Sequence, residues 1–193
     1  LERFFASWTG ASITIAGEEY RLTSTPPADG VQVAMFDAFI ARDRRKATVK
    51  RLLVADQSQR AHALQEAKHW AILSPPGLAK HPNIVAFYGQ QFDGQFCYLA
   101  MEHVNGIDLH GFITSRSGGS APSTAEVATI MGDVIGGLAH LHNQVPKLVH
   151  CDLTPRKVVQ GSDGRWKLTH FSTLAESGSA RSRCQELVAR QDA

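Results

Sequence analysis

Apolar and polar positions alternate over the early part of the chain, and the period changes further on. Ser12-Ile13-Thr14-Ile15-Ala16 reads as a short strand, and Gly17-Glu18 turns it into Tyr20-Arg21-Leu22. Thr25-Pro26-Pro27-Ala28-Asp29-Gly30 is a loop by its proline and glycine content. Val31 to Ile40 and Lys46 to Val54 predict a hairpin, with the polar Ala41 to Arg45 as its turn. From Ser58 to Leu73 the spacing becomes helical, with Ala63, Leu64, Ala67, Trp70 and Ala71 on one face, and Ser74-Pro75-Pro76-Gly77 stops it. Asn83 to Tyr88 and Gln95 to Met101 predict two more strands, joined through Phe92-Asp93-Gly94.

The pattern changes at Val104-Asn105-Gly106. Asp108 to Thr114 reads as a short helix, and Ser115 to Ser120 as a flexible loop. Ser123 to Glu126 fits a capping box, which satisfies the free amide groups at a helix start. The helix it opens carries Val127, Ile130, Met131, Val134, Leu138 and Leu141, a broad apolar face of more than one row. A loop at His150, a hairpin around Ser162-Asp163-Gly164 and His170-Phe171-Ser172 follow. Glu176 to Arg183 is small and polar, so little order is expected there. The sum is an α+β fold: a β-rich piece with one main helix, a strand-hinge, then a helical piece. It predicts two lobes with a cleft at about Glu102 to Asn105.

Composition narrows the classes. The chain has 193 residues, 43% hydrophobic and 20% charged, which suits a globular core. A net charge of +2 gives no pull toward nucleic acid. The run Arg42 to Lys46 is short and broken by Asp43; a solvated turn is the plainer reading and a phosphate-binding patch the sharper one. Three cysteines, Cys97, Cys151 and Cys184, show no metal-ligand spacing, and their odd number fits a reducing compartment, so a cytoplasmic location is expected. No apolar run reaches the roughly 18 residues of a membrane span. The chain starts at Leu1 rather than Met, so a fragment is expected.

The chemistry concentrates in Leu148-Val149-His150-Cys151-Asp152-Leu153-Thr154-Pro155-Arg156-Lys157-Val158-Val159. This run resembles the catalytic loop of eukaryotic-type protein kinases, His-Arg-Asp-Leu-x-x-x-Asn. His81-Pro82-Asn83-Ile84-Val85 precedes it, and Ala47-Thr48-Val49-Lys50 is similar to the strand whose Lys contacts nucleotide phosphates. The resemblance covers about Tyr20 to Leu174 and implies a kinase-like two-lobe fold. It divides the chain into an N-terminal extension (1–19), a small lobe (20–103), a partial large lobe (104–174) and a disordered tail (175–193). Glu66 falls where the family has the partner of Lys50, and an ion pair between them is expected. Met101 takes the gatekeeper position, Glu102 and His103 the adenine-reading hinge, and Asp108 the place that reaches the ribose. Gly30, Val33 and Val159 complete the nucleotide-binding positions that the resemblance implies. Asp152 is the remnant base and His150 its neighbour in the loop. Trp70, Phe87, His150 and Phe171 fall where the family stacks four side chains.

Several working parts are exchanged. Lys157 stands for the Asn that holds magnesium, and His170-Phe171-Ser172 for Asp-Phe-Gly. Thr154 replaces the loop Lys and Cys151 the loop Arg. Of the glycine-rich loop only Gly30 survives, and two prolines remove backbone donors that phosphate needs. The shape-keeping residues stay and the metal ligands go, as in a pseudokinase. Weak ATP binding without magnesium, a protein partner and self-association are expected, with no nucleic acid and no membrane in this segment. The alternatives are a divergent ATP-dependent Ser/Thr kinase and a non-functional truncated fragment. Gln95 to Glu102, Val49-Lys50-Arg51 and Gly137 to His142 are also similar to the kinase–ribonuclease sensors of the unfolded protein response.

Overall fold

The computed structural model describes residues 11–23, 31–75, 78–104, 106–116 and 121–191. The chain divides into two units: residues up to Ala71 with Ala86–His103, and Ile72–Val85 with residues from Val104 onward. No helix among the described residues is long and apolar enough to cross a membrane.

The first unit is a six-stranded antiparallel sheet: β1 (Ser12–Ile15), β2 (Glu18–Leu22), β3 (Val33–Ile40), β4 (Lys46–Leu53), β5 (Phe87–Asp93) and β6 (Phe96–Glu102), in the order β1-β2-β3-β4-β6-β5. Period-two alternation decides its faces. On β3, Ala34, Phe36, Ala38 and Ile40 are buried while Val33, Met35 and Asp37 are exposed. These residues join Ile15, Tyr20, Leu22, Ala47, Val49 and Ala100 in one core. The sheet curls: a Cβ added at Gly89, on the edge strand β5, would meet Ala16 Cβ at 2.6 Å, so only glycine fits. Buried Arg51 lies with its guanidinium 4.4 Å from the Phe96 ring centroid, a cation–π arrangement that partly replaces lost hydration.

Helix α1 (Gln57–Leu73) buries Ala63, Glu66, Ala67 and Trp70, and Trp70 stacks on Phe87 at 5.2 Å. Leu64, expected on the same face, is 43% exposed, because its position points between that row and the solvent side.

The second unit holds α2 (Leu109–Ser115), α3 (Thr124–His142), β7 (Leu148–Val149), a 3₁₀ turn (Pro155–Lys157), β8 (Val158–Gln160), β9 (Trp166–Leu168), a second 3₁₀ turn (Phe171–Thr173), β10 (Ala175–Glu176) and α4 (Ala180–Gln191). The capping box at Ser123 and Glu126 forms as the sequence predicts. Ile130, Val134, Gly137 and Leu141 form the buried row of α3. A Cβ at Gly137 would meet Asn83 O and the Leu168 side chain, each at 2.9 Å, so glycine lets α3 close on β9. Val127, Met131 and Ile135 form a second row, spaced i, i+4, i+8, and stay exposed.

Three sequence expectations change. The extension 1–19 is not separate from the sheet, since β1 pairs with β2 from Ser12↔Arg21 to Ile15↔Glu18. Residues 83–85 do not join the neighbouring strand: Leu168 N–H donates to Asn83 O at 2.9 Å and Val85 N–H to Leu168 O at 3.0 Å. The strand therefore starts at Phe87, and the lobe boundary moves, with 72–85 in the second unit. The tail expected to lack order contains β10, paired with β7, and α4. The polar residues of α4 are good helix formers, and buried Ala180 and an Arg183–Glu186 contact of 3.3 Å help hold it.

Candidate functional site

In the first unit, Lys50 sits on β4 opposite Met35 and Leu99. Alternation turns it to the face away from Val49. There Lys50 Nζ donates to Glu66 Oε1 of α1 at 2.8 Å, with the side chains 13% and 5% exposed. The ion pair expected from the family resemblance forms. Such a pair fixes a long, flexible ammonium where a phosphate can meet it.

Met101 is buried on β6, opposite Thr48 and Phe87. Glu102 exchanges bonds with Ala86: its N–H donates to Ala86 O at 2.9 Å, and its carboxylate accepts from Ala86 N–H at 3.1 Å. His103 Nδ1 lies 3.2 Å from Thr48 Oγ1 and 3.4 Å from Asp37 Oδ1. With Asp37 and Lys46 it lines a cavity of about 230 Å³. This His–Asp–Thr grouping was not legible in the sequence, because strand register brings its members together. Val33 is exposed on β3. Gly30 and the loop Thr25–Gly30 lie outside the described residues, as does Asn105.

In the second unit, the loop after β7 is held from several sides. His150 is buried beside Phe171, with ring centroids 5.8 Å apart. Its Nε2 lies 3.1 Å from Thr169 O, and its own carbonyl accepts from Thr173 Oγ1 at 2.9 Å. Burial holds the His150 imidazole below its ordinary pKa, which favours the neutral ring. Cys151 takes a left-handed φ of 61° and His170 one of 63°. Of the four expected stacking residues, Trp70 pairs with Phe87 and His150 with Phe171, each pair within its own unit.

Lys157 Nζ donates directly to Asp152 Oδ2, and the two side chains are 20% and 19% exposed. The 3₁₀ turn from Pro155 positions Lys157, and Thr169 N–H donates to Lys157 O at 3.1 Å. The family resemblance implies a metal position for Lys157; only the fold shows its ammonium on Asp152. His170 is exposed. Asp108 caps α2 through Gly111 N–H at 2.6 Å, and its backbone bridges to Val159. Among the described residues no group of three His, Cys, Asp or Glu side chains is placed to hold a metal ion. The donor set does not fit magnesium, because a lysine ammonium at Asp152 repels a dication.

A curled antiparallel sheet with a Lys–Glu pair, and a helical unit with a His-x-Asp loop, define a protein-kinase-like α+β class. The chain belongs to the protein kinase domain family, whose model matches residues 29–190. It is 35% identical over 102 residues to mitogen-activated protein kinase kinase kinase 7 of Drosophila melanogaster, covering 52% of this chain and 15% of that protein. It is 33% identical over 111 residues to serine/threonine-protein kinase VIK of Arabidopsis thaliana, 58% of this chain and 24% of that one. Serine/threonine-protein kinase PrkC of Bacillus subtilis is 33% identical over 91 residues, 47% of this chain and 13% of that one. The chain thus spans under a quarter of the length of each.

Proposed function

We propose that this kinase domain is catalytically impaired and works as a nucleotide-sensitive binding or regulatory module. The Lys157–Asp152 pair carries the reading. A general base must be free to accept a proton from the substrate hydroxyl. Here a fixed cation competes for the same carboxylate oxygen. Phosphoryl transfer also depends on metal ions that neutralise developing charge, and Lys157 and His170 stand where the family places their ligands. The Lys50–Glu66 pair supports retained contact with nucleotide phosphate, hence ATP binding without magnesium. The test combines ATP titration in EDTA, read as a thermal shift, with transfer of labelled phosphate in magnesium or manganese. A shift without transfer is expected. Transfer above that of an Asp152→Asn variant overturns the reading.

The intact Lys50–Glu66 pair also favours a second reading, a divergent Ser/Thr kinase, and the same transfer assay separates the two. The finer likeness to the unfolded-protein-response sensors rests on the motifs quoted for it. Self-association through the exposed row Val127, Met131 and Ile135 accompanies the proposal, since water-exposed apolar rows favour pairing with another surface. Three free cysteines support a reducing, cytoplasmic setting.

A further inference from the structure

The catalytic loop and α4 meet through sulfur. Cys151 Sγ lies 3.8 Å from the carbonyl of Ala180, in the first turn of α4. Cys184 is one turn further along, at i+4 from Ala180, and so on the same helix face. That placement, with the Cys151 sulfur against the carbonyl one turn before Cys184, brings the two thiols near one another. Both are free and partly exposed, whereas Cys97 is fully buried. Burial and then the Cys184 thiol oppose ionisation of Cys151 more than nearby Arg183 favours it.

We propose that Cys151 and Cys184 are a reversible redox pair whose disulfide ties α4 to the residue next to Asp152. The oxidant is a low-molecular-weight disulfide such as oxidised glutathione. The Cys184 thiolate attacks one sulfur of that disulfide, forms a mixed disulfide and releases one small thiolate. The Cys151 thiolate then attacks Cys184 Sγ and expels the second. Two electrons pass from the protein thiols to the oxidant, and their two protons end on the two released small thiols. Burial pushes the Cys151 thiol up to about 12, so the second step is the slow one and speeds up as pH rises. A reducing compartment keeps the pair open until the thiol–disulfide balance shifts.

The test uses the whole chain, treated with oxidised glutathione, alkylated and digested with trypsin without reductant. The expected product is peptide 148–156 linked to peptide 184–190, with Cys97 alkylated, and its recovery as two free peptides after dithiothreitol. A Cys97→Ser variant should give the same link. Cys184→Ser should leave Cys151 alkylated and form no internal link. Oxidation in urea is the control for an unfolded chain, and should scramble the three cysteines. Glutathione adducts that never close to the 151–184 link overturn the proposal. So do disulfides between chains only, or the same mixture in native buffer and in urea.

Discussion

Two lysine–carboxylate pairs share the same chemistry and have opposite consequences. Lys50 meets Glu66 between a strand and a helix of the first unit. Lys157 meets Asp152 across one loop of the second. In the first, the proposed function reads the carboxylate as the group that aims the lysine charge. In the second, the carboxylate is the one that the proposed function reads as the base, so on that reading the pair occupies it. A salt bridge therefore has no functional sign of its own; the role of the carboxylate sets it. Arg116 and Glu126 supply an exposed reference, with a contact of 2.6 Å and side chains 33% and 39% exposed.

The largest stability effect is expected at the most buried pair. Lys50→Met leaves the Glu66 carboxylate buried without its partner, a loss of about 3 kcal/mol by urea unfolding. Adding Glu66→Leu should recover much of it, because a well-packed apolar pair avoids the desolvation cost. A double variant as unstable as the single would show that the ion pair is not the source.

Lys157→Met should cost less, about 1 kcal/mol, since Asp152 keeps access to water. A loss equal to that of Lys50→Met would erase the contrast between the pairs. Lys157→Asn combined with His170→Asp should make ATP-induced stabilisation depend on magnesium, reaching about 2.7 kcal/mol at a hundredfold excess of nucleotide over Kd. Equal shifts in magnesium and in EDTA would contradict the assignment of these positions.

The smallest effect belongs to the exposed pair, and pH reads it. Hydrogen bonds from Arg116 and then from the Ser123 backbone lower the Glu126 pKa from 4.5 to about 2. A carboxyl lowered on folding stabilises above its unfolded value, and that contribution fades as pH falls through about 2. Between pH 7 and 5, Arg116→Ala and the parent should therefore keep a constant difference in Tm. The two should converge below pH 4. A difference that grows on acidification would reverse the sign and rule out Glu126 as its origin.

Local pattern made much of the fold legible. Alternation on β3 and β4 announced which residues face the core of the first unit, and the capping box announced where α3 begins in the second. The Lys50–Glu66 pair followed from family spacing. The pattern misled where pairing was long-range: Ile84 and Val85 are as apolar and β-prone as a strand of the first unit, yet the backbone of Asn83 and Val85 bonds to Leu168. It misled again over 175–193, where composition hid a helix held through Ala180 and Cys151.

The sequence by itself determined the family, the strand faces, the helix starts and the residue types at positions 157 and 170. Those depend on residue type and short spacing, which the chain carries whatever its fold. Tertiary structure alone decided that the Lys157 ammonium rests on Asp152, that His103 meets Asp37 and Thr48, and that Cys151 meets the first turn of the helix that carries Cys184. Each of these contacts depends on a turn, a strand register or a helix docked far along the chain. Side-chain atoms must come within a few ångströms before charge, hydrogen bonding or thiol chemistry acts, and no linear pattern encodes that distance.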